Sequence, residues 1–141
     1  MQISRKALYA IRALICIASS KGEKLSTITE IAEKEGIPRE YMAKILKELA
    51  EKGLLISYRG VNGGYKLKKP LEEISFLDIL EVVQGKFDKT EDGSDIARLY
   101  KGAAYDFWRD LHDIVKTKLA DMRLNKIDFD RFYYSEAVGI N

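Results

Sequence analysis

The chain has 141 residues, of which 46% are hydrophobic and 33% charged, a composition typical of one compact domain or of a small domain with an oligomerisation element. No apolar run approaches the roughly 18 residues that span a bilayer. The basic start resembles a signal peptide, but Arg12 interrupts the apolar stretch that follows. A single cysteine, Cys16, excludes an intramolecular disulfide framework. We therefore expect a cytoplasmic protein with no membrane partner.

Charge is distributed unevenly along the chain. Residues 1–69 contain 14 Lys/Arg and 7 Asp/Glu, a net charge of +7, whereas residues 70–141 contain 10 and 15, a net charge of −5. A basic half beside an acidic half favours a polyanion-binding face joined to a second element.

The first predicted helix runs from about Arg5 to Ser19. Leu8, Ile11 and Leu14 follow helical spacing, yet the remaining faces are mostly apolar as well. A helix that is apolar on nearly all sides must be covered on both sides. We therefore expect a partner subunit to cover part of it.

Two short helices are predicted next. Thr27 and Glu30 form a capping box that begins a helix ending at Gly36. Pro38, expected at the first helical position, begins a second helix that ends near Lys52. Its buried stripe comprises Met42, Ile45, Leu46 and Leu49. Two helices joined in this way, the second rich in basic residues, indicate a helix-turn-helix.

A β-hairpin follows this helix pair. Residues 54–59 and 65–68 have strand composition, and the segment between them contains three glycines and an asparagine. A hairpin after a helix-turn-helix predicts a winged helix. The expected fold class is mainly α with a small β-hairpin wing.

The C-terminal part is predicted to be helical and to dimerise. Ser75 begins a helix that ends at Gly85, and residues 86–95 form an acidic loop. Residues 96–124 form one long helix, and the aromatic tail packs against the body. The expected domains are 1–85 for DNA binding, 86–95 for the loop, and 96–141 for the dimerisation helix and tail. The predicted dimer interface consists of Trp108, Leu111, Val115, Leu119 and Met122.

The candidate DNA contacts lie on the second helix of the pair and on the wing. Lys44 suits guanine and Glu40 suits cytosine in the major groove. Arginine and glycine in the wing suit the minor groove, and Lys66 suits a phosphate. The candidates so far are Arg39, Glu40, Lys44, Lys47, Arg59, Asn62, Gly63, Gly64 and Lys66. The alternative interpretation is a solvated lysine face beside an ordinary hairpin turn.

Four segments, residues 9–14, 30–32, 41–49 and 59–65, together resemble the Rrf2 family of winged helix-turn-helix transcriptional regulators from bacteria. The similarity is densest over residues 1–85. It implies a homodimer joined through the long helices, with each subunit reading half of a roughly palindromic operator. It also implies that Tyr41 contacts a phosphate. Ala43 stands where the family often has a carboxylate, so a different operator is expected.

The family's sensor is absent from this sequence. Many members hold an iron–sulfur cluster on three cysteines between the wing-proximal helix and the long helix, and residues 86–95 contain none. One cysteine and one histidine cannot build such a site within one chain. We therefore expect no cofactor and no metal site, with Cys16 as a buried apolar residue and His112 at an interface or surface. An unconventional cluster shared between subunits is an alternative.

The sequence thus predicts a homodimeric, sequence-specific regulator that binds double-stranded DNA, most simply a repressor. Its effector would be a small molecule or a protein. A regulator that has lost its effector and represses constitutively is an alternative. An enzyme is not expected, because the chain has no phosphate-binding glycine loop and no recognisable nucleophile–base pair. The alternative from another class is a protein-interaction module that uses the winged helix as a scaffold.

Overall fold

A computed structural model describes residues 4–20, 24–87 and 102–127 of the chain. The described helices are α1 (Arg5–Ala18), α2 (Ile28–Glu35), α3 (Arg39–Glu51), α4 (Phe76–Gln84) and α5 (Ala103–Asp121). Strands β1 (Leu55–Tyr58) and β2 (Gly64–Leu67) form an antiparallel pair, and 3₁₀ turns occupy Leu71–Glu73 and Leu124–Lys126. The expected fold class, mainly α with a small β wing, is confirmed.

Helix α1 is the centre of the core. Ser4 begins it by accepting a hydrogen bond from the Ala7 N–H at 3.1 Å. The helix packs against α2, α3, α4 and β2 of the same chain, and seven of its residues are buried. The expectation that a partner subunit must cover this helix was therefore wrong for most of its surface. Leu8, which is 50% exposed, is the exception among its large apolar residues.

The helix-turn-helix is held by local contacts. Thr27 accepts from the Glu30 N–H at 3.1 Å and Glu30 accepts from the Thr27 N–H at 3.4 Å, which confirms the capping box. Gly36 ends α2 with a left-handed φ of 66°. Pro38 occupies the N-cap of α3, with φ −53° and ψ 134°, so its predicted place inside the helix was wrong by one residue.

The wing is a short hairpin anchored to the segment before α2. Leu55 pairs with Leu67 at the open end of the ladder, and Tyr58 pairs with Gly64 next to the turn. Ser26 extends the sheet, since its N–H donates to the Tyr65 carbonyl at 3.0 Å and its carbonyl accepts from the Tyr65 N–H at 2.8 Å. The wing is therefore attached to the body on two sides.

Helix α5 returns to the body at its C-terminal end. The Phe76 N–H donates to the Met122 carbonyl at 2.8 Å, and the Leu124 N–H donates to the Ile74 carbonyl at 2.9 Å. Leu119 is buried in a small cluster with Leu77 and Leu80 of α4. The long helix ends at Asp121, earlier than predicted.

Several sequence-based expectations lie outside the described residues. These are the acidic loop from residue 88 onward, the start of the long helix at residues 96–101, and the aromatic tail. Among the described helices, none has the length and apolar character needed to cross a membrane.

Candidate nucleic-acid interface

An open groove of about 970 Å³ lies between the start of α2, one face of α3 and the wing. Three elements distant in sequence therefore present their side chains to a common space. Its lining comprises Thr27, Ile28, Thr29, Arg39, Ala43, Lys47, Ala50, Glu51, Leu55, Ile56, Ser57, Tyr58, Arg59, Gly60, Val61, Gly63, Gly64, Tyr65 and Lys68.

The charged side chains of the groove are predominantly basic. Arg39, Lys47, Arg59 and Lys68 line it, against one carboxylate, Glu51. All four cations are exposed, and within residues 4–20, 24–87 and 102–127 none of them forms an ion pair. Unpaired cations in a groove attract a polyanion such as nucleic acid, because no internal contact must be broken first.

The structure divides the predicted α3 contacts into two sets. Arg39 and Lys47 line the groove with Ala43 between them, because positions four residues apart share a helix face. Glu40 and Lys44 are exposed but do not line the groove. The helix thus offers one row of side chains toward the wing and a neighbouring row to solvent.

Tyr41 is half-buried and leans on α1. Its ring meets the Tyr9 ring edge to face, with centroids 5.7 Å apart and an interplanar angle of 81°. This contact restrains the direction of the side chain at the start of α3.

The wing places three of its predicted residues in the groove, namely Arg59, Gly63 and Gly64. A Cβ on Gly63 would lie 2.4 Å from the Tyr58 carbonyl oxygen, so only glycine fits this turn. Asn62 and Lys66 are exposed and do not line the groove, and the Lys66 ammonium lies 5.2 Å from the centre of the Tyr58 ring.

Thr29 in the groove was missed by the sequence analysis. It is exposed in the first turn of α2 and its hydroxyl accepts a hydrogen bond from Arg39 Nε at 3.3 Å. One signal in the sequence could have found it. Thr29 lies two residues after the N-cap of α2, and this end of α2 faces the start of α3.

Helix α5 carries two apolar stripes. Val115 and Leu119 contact α4 of the same chain, so the structure places these two predicted interface residues in an intramolecular contact. The other stripe is exposed and has an i, i+4, i+7 spacing, with Phe107 72%, Leu111 50% and Ile114 66% exposed. Leu111 was among the predicted interface residues, whereas Phe107 and Ile114 were not.

The remaining predicted interface residues lie elsewhere on the helix. Met122 is 44% exposed just beyond its end. Trp108 stacks on His112 with ring centroids 5.1 Å apart, and His112 stacks in turn on Phe87 at 4.6 Å. His112 therefore fills a position between two aromatic rings.

The residues present do not fit a three-cysteine iron–sulfur cluster. Cys16, the one cysteine of the chain, is buried in the core built around α1. Within the described ranges no three His, Cys, Asp or Glu side chains are grouped so that they could hold a metal ion. Burial raises the pKa of the Cys16 thiol above 9.0, an effect that nearby Lys34 partly opposes.

Comparison with known proteins identifies similar chains. Residues 3–128 match the Rrf2 family, described as iron-dependent transcriptional regulators. The chain is 32% identical over 127 residues to MT1325 of Mycobacterium tuberculosis, whose name assigns it to the HTH-type transcriptional regulators. The matched region covers 88% of this chain and 79% of that protein. It is 38% identical over 91 residues to protein aau3 of Rhizobium meliloti, covering 64% of this chain and 58% of that protein.

The fold is also found among solved structures. The structure of CymR, the global cysteine regulator of B. subtilis, superposes with a TM-score of 0.72 at 28% identity, covering 89% of this chain and 94% of that one. A helix-turn-helix with a wing is thus shared by proteins that differ at most positions.

Proposed function

Because the chain belongs to the Rrf2 family of DNA-binding transcriptional regulators, and is therefore not an enzyme, we propose that it is a homodimeric repressor that binds a roughly palindromic operator. The observation that carries the proposal is the groove between α2, α3 and the wing. It gathers four cations that form no ion pair within the part of the chain that the structure describes, two from α3 and two from the wing.

In the proposed complex, α3 enters the major groove and the wing follows the adjacent minor groove. Glu40 and Lys44, in the solvent-facing row of α3, read base edges by accepting from cytosine and donating to guanine. Arg59 inserts into the minor groove, where the negative potential favours a guanidinium. Tyr41 and the other cations contact phosphates, which position the protein without specifying sequence.

The proposed dimer uses the exposed stripe of α5. Phe107, Leu111 and Ile114 form a contiguous apolar stripe on a helix that extends beyond the small core. Such a stripe is normally covered, and two copies of one helix provide a self-complementary seam. Two winged helices held in this way would read half-sites about one helical turn, roughly 34 Å, apart.

The proposed regulator senses its signal without the three-cysteine cluster of its family. The chain contains one cysteine, buried in the core, and one histidine, stacked between two aromatic rings. Its effector is then a small molecule or a protein partner.

The DNA-binding proposal is tested with a duplex selected from a random library. Affinity is measured by fluorescence anisotropy at several salt concentrations, and it should fall steeply as salt rises, because phosphate contacts release counterions. Arg59→Ala should weaken binding by about 1–3 kcal/mol. Lys86→Ala removes the same charge outside the groove and is the matched control. No detectable DNA binding at any of the salt concentrations would instead support a protein-interaction module.

The dimer is tested by sedimentation of two matched variants. Leu111→Glu places a carboxylate in the exposed stripe and should give monomers, whereas Arg109→Glu places one about 160° away around α5 and should leave the dimer intact. Equal association of both variants would exclude this stripe as the interface.

A further inference from the structure

A single hydrogen bond joins the two helices of the helix-turn-helix inside the groove. The Nε of Arg39, the first residue of α3, donates to the Thr29 hydroxyl at 3.3 Å. Both side chains are exposed and both line the groove. The contact therefore lies where DNA would be bound, at the ends of the two helices that face it.

Arg39 has few other restraints. Within residues 4–20, 24–87 and 102–127 it forms no ion pair, and this contact with Thr29 is its hydrogen bond. The carboxylate of Glu30, the residue after Thr29, accepts from the Thr27 N–H and lies 3.9 Å from the Lys24 ammonium. Thr29 thus limits the directions available to an otherwise free guanidinium.

We propose that Thr29 is a positioning residue that holds the Arg39 guanidinium for one phosphate of the DNA backbone, an inference that rests on the proposed function. A guanidinium has five N–H donors, of which Nε supplies one. Binding Thr29 through Nε leaves the two terminal nitrogens free. Those nitrogens form the fork that binds two oxygens of a phosphate.

The role differs from base reading in a measurable way. A phosphate contact strengthens binding to every sequence, whereas a base contact discriminates between sequences. Loss of the Thr29 hydroxyl should therefore weaken selected and random duplexes by the same factor. Since the charge of Arg39 remains, the dependence of affinity on salt should change little.

The test is a double-mutant cycle in the full chain with the selected duplex. Thr29→Val removes the hydroxyl while keeping a β-branched side chain, and it should weaken binding about three- to tenfold. Thr29→Ser restores the acceptor and should bind within about twofold of the original protein. Arg39→Ala should weaken binding and reduce the slope of log affinity against log salt by about 0.9. In the Arg39→Ala background, Thr29→Val should have no further effect.

Three results would overturn the inference. These are unchanged affinity in Thr29→Val, equal losses from Thr29→Val with and without Arg39, and failure of Thr29→Ser to restore binding. Thermal unfolding of each variant separates a loss of stability from a loss of affinity, since only the latter is expected here. If the unsubstituted chain shows no salt-dependent DNA binding, the proposed function fails; if it binds but the cycle is additive, only the role of Thr29 fails.

Discussion

Replacement of Gly64 by alanine tests how the wing is anchored. A Cβ at this position would lie 2.7 Å from the Ser26 carbonyl oxygen, and the residue has a φ of +158°. The methyl group must displace the Ser26 backbone, which breaks the two hydrogen bonds to Tyr65 at 2.8 and 3.0 Å. At about 0.5–1.5 kcal/mol each they contribute about 1–3 kcal/mol, and residual strain adds about 1 kcal/mol. We expect Gly64→Ala to lower the free energy of unfolding by about 2–4 kcal/mol.

The assay is urea unfolding at 25 °C, with Gly53→Ala as the control. Gly53 also has a positive φ, +82°, but a Cβ there meets no atom within 4 Å, so its replacement costs only about 1 kcal/mol of backbone strain. DNA affinity should fall in Gly64→Ala, whose wing loses its second attachment, and stay near its original value in Gly53→Ala. If both variants lose the same free energy of unfolding, the close approach between the wing and Ser26 does not exist.

Three further predictions concern the core, the thiol and the cofactor. Leu119→Ala should lower the free energy of unfolding by about 2–5 kcal/mol in urea, because the side chain is buried against α4; a loss below about 1 kcal/mol would contradict this packing. The Cys16 thiol should react with a disulfide reagent at pH 8 far more slowly in the folded than in the unfolded protein, because it is buried. Its pKa is higher in the folded protein than in the unfolded chain, so its contribution to stability should decline as the pH rises past 9.0. Equal reaction rates would refute its burial. Protein purified without oxygen should be colourless and lack stoichiometric iron and sulfide, whereas a brown, iron-loaded sample would establish a cluster on unconventional ligands.

Much of the DNA-binding unit was predictable because its signals are local. The capping box at Thr27, the helix end at Gly36 and the helix start at Ser75 depend on residues within one helical turn, and the structure shows each of them. The wing followed from glycine and asparagine between two short apolar runs. Such elements depend on residues close in sequence, so no knowledge of the rest of the chain was required.

The candidate site was predictable only in part. Five of the ten predicted DNA contacts line the groove. The wing, which forms one side of the groove, is joined to the segment before α2 by the bridge between Ser26 and Tyr65. That bridge joins residues far apart in sequence, and no periodicity reports it. The contact between Thr29 and Arg39 is of the same kind, since it arises only when α2 and α3 are packed against each other.

The sequence by itself determined which helices and strands form, the described ends of most of them to within a few residues, and which positions are apolar, since capping, turn formation and periodicity are short-range effects. Only the tertiary structure decided which neighbour covers each apolar face. It turned Val115 and Leu119 of α5 inward against α4 and left Phe107 and Ile114 exposed, and it covered α1 within one chain except at Leu8 among its large apolar residues. The physical reason is that hydrophobic burial is non-directional, so an apolar stripe specifies that it must be covered but not by what.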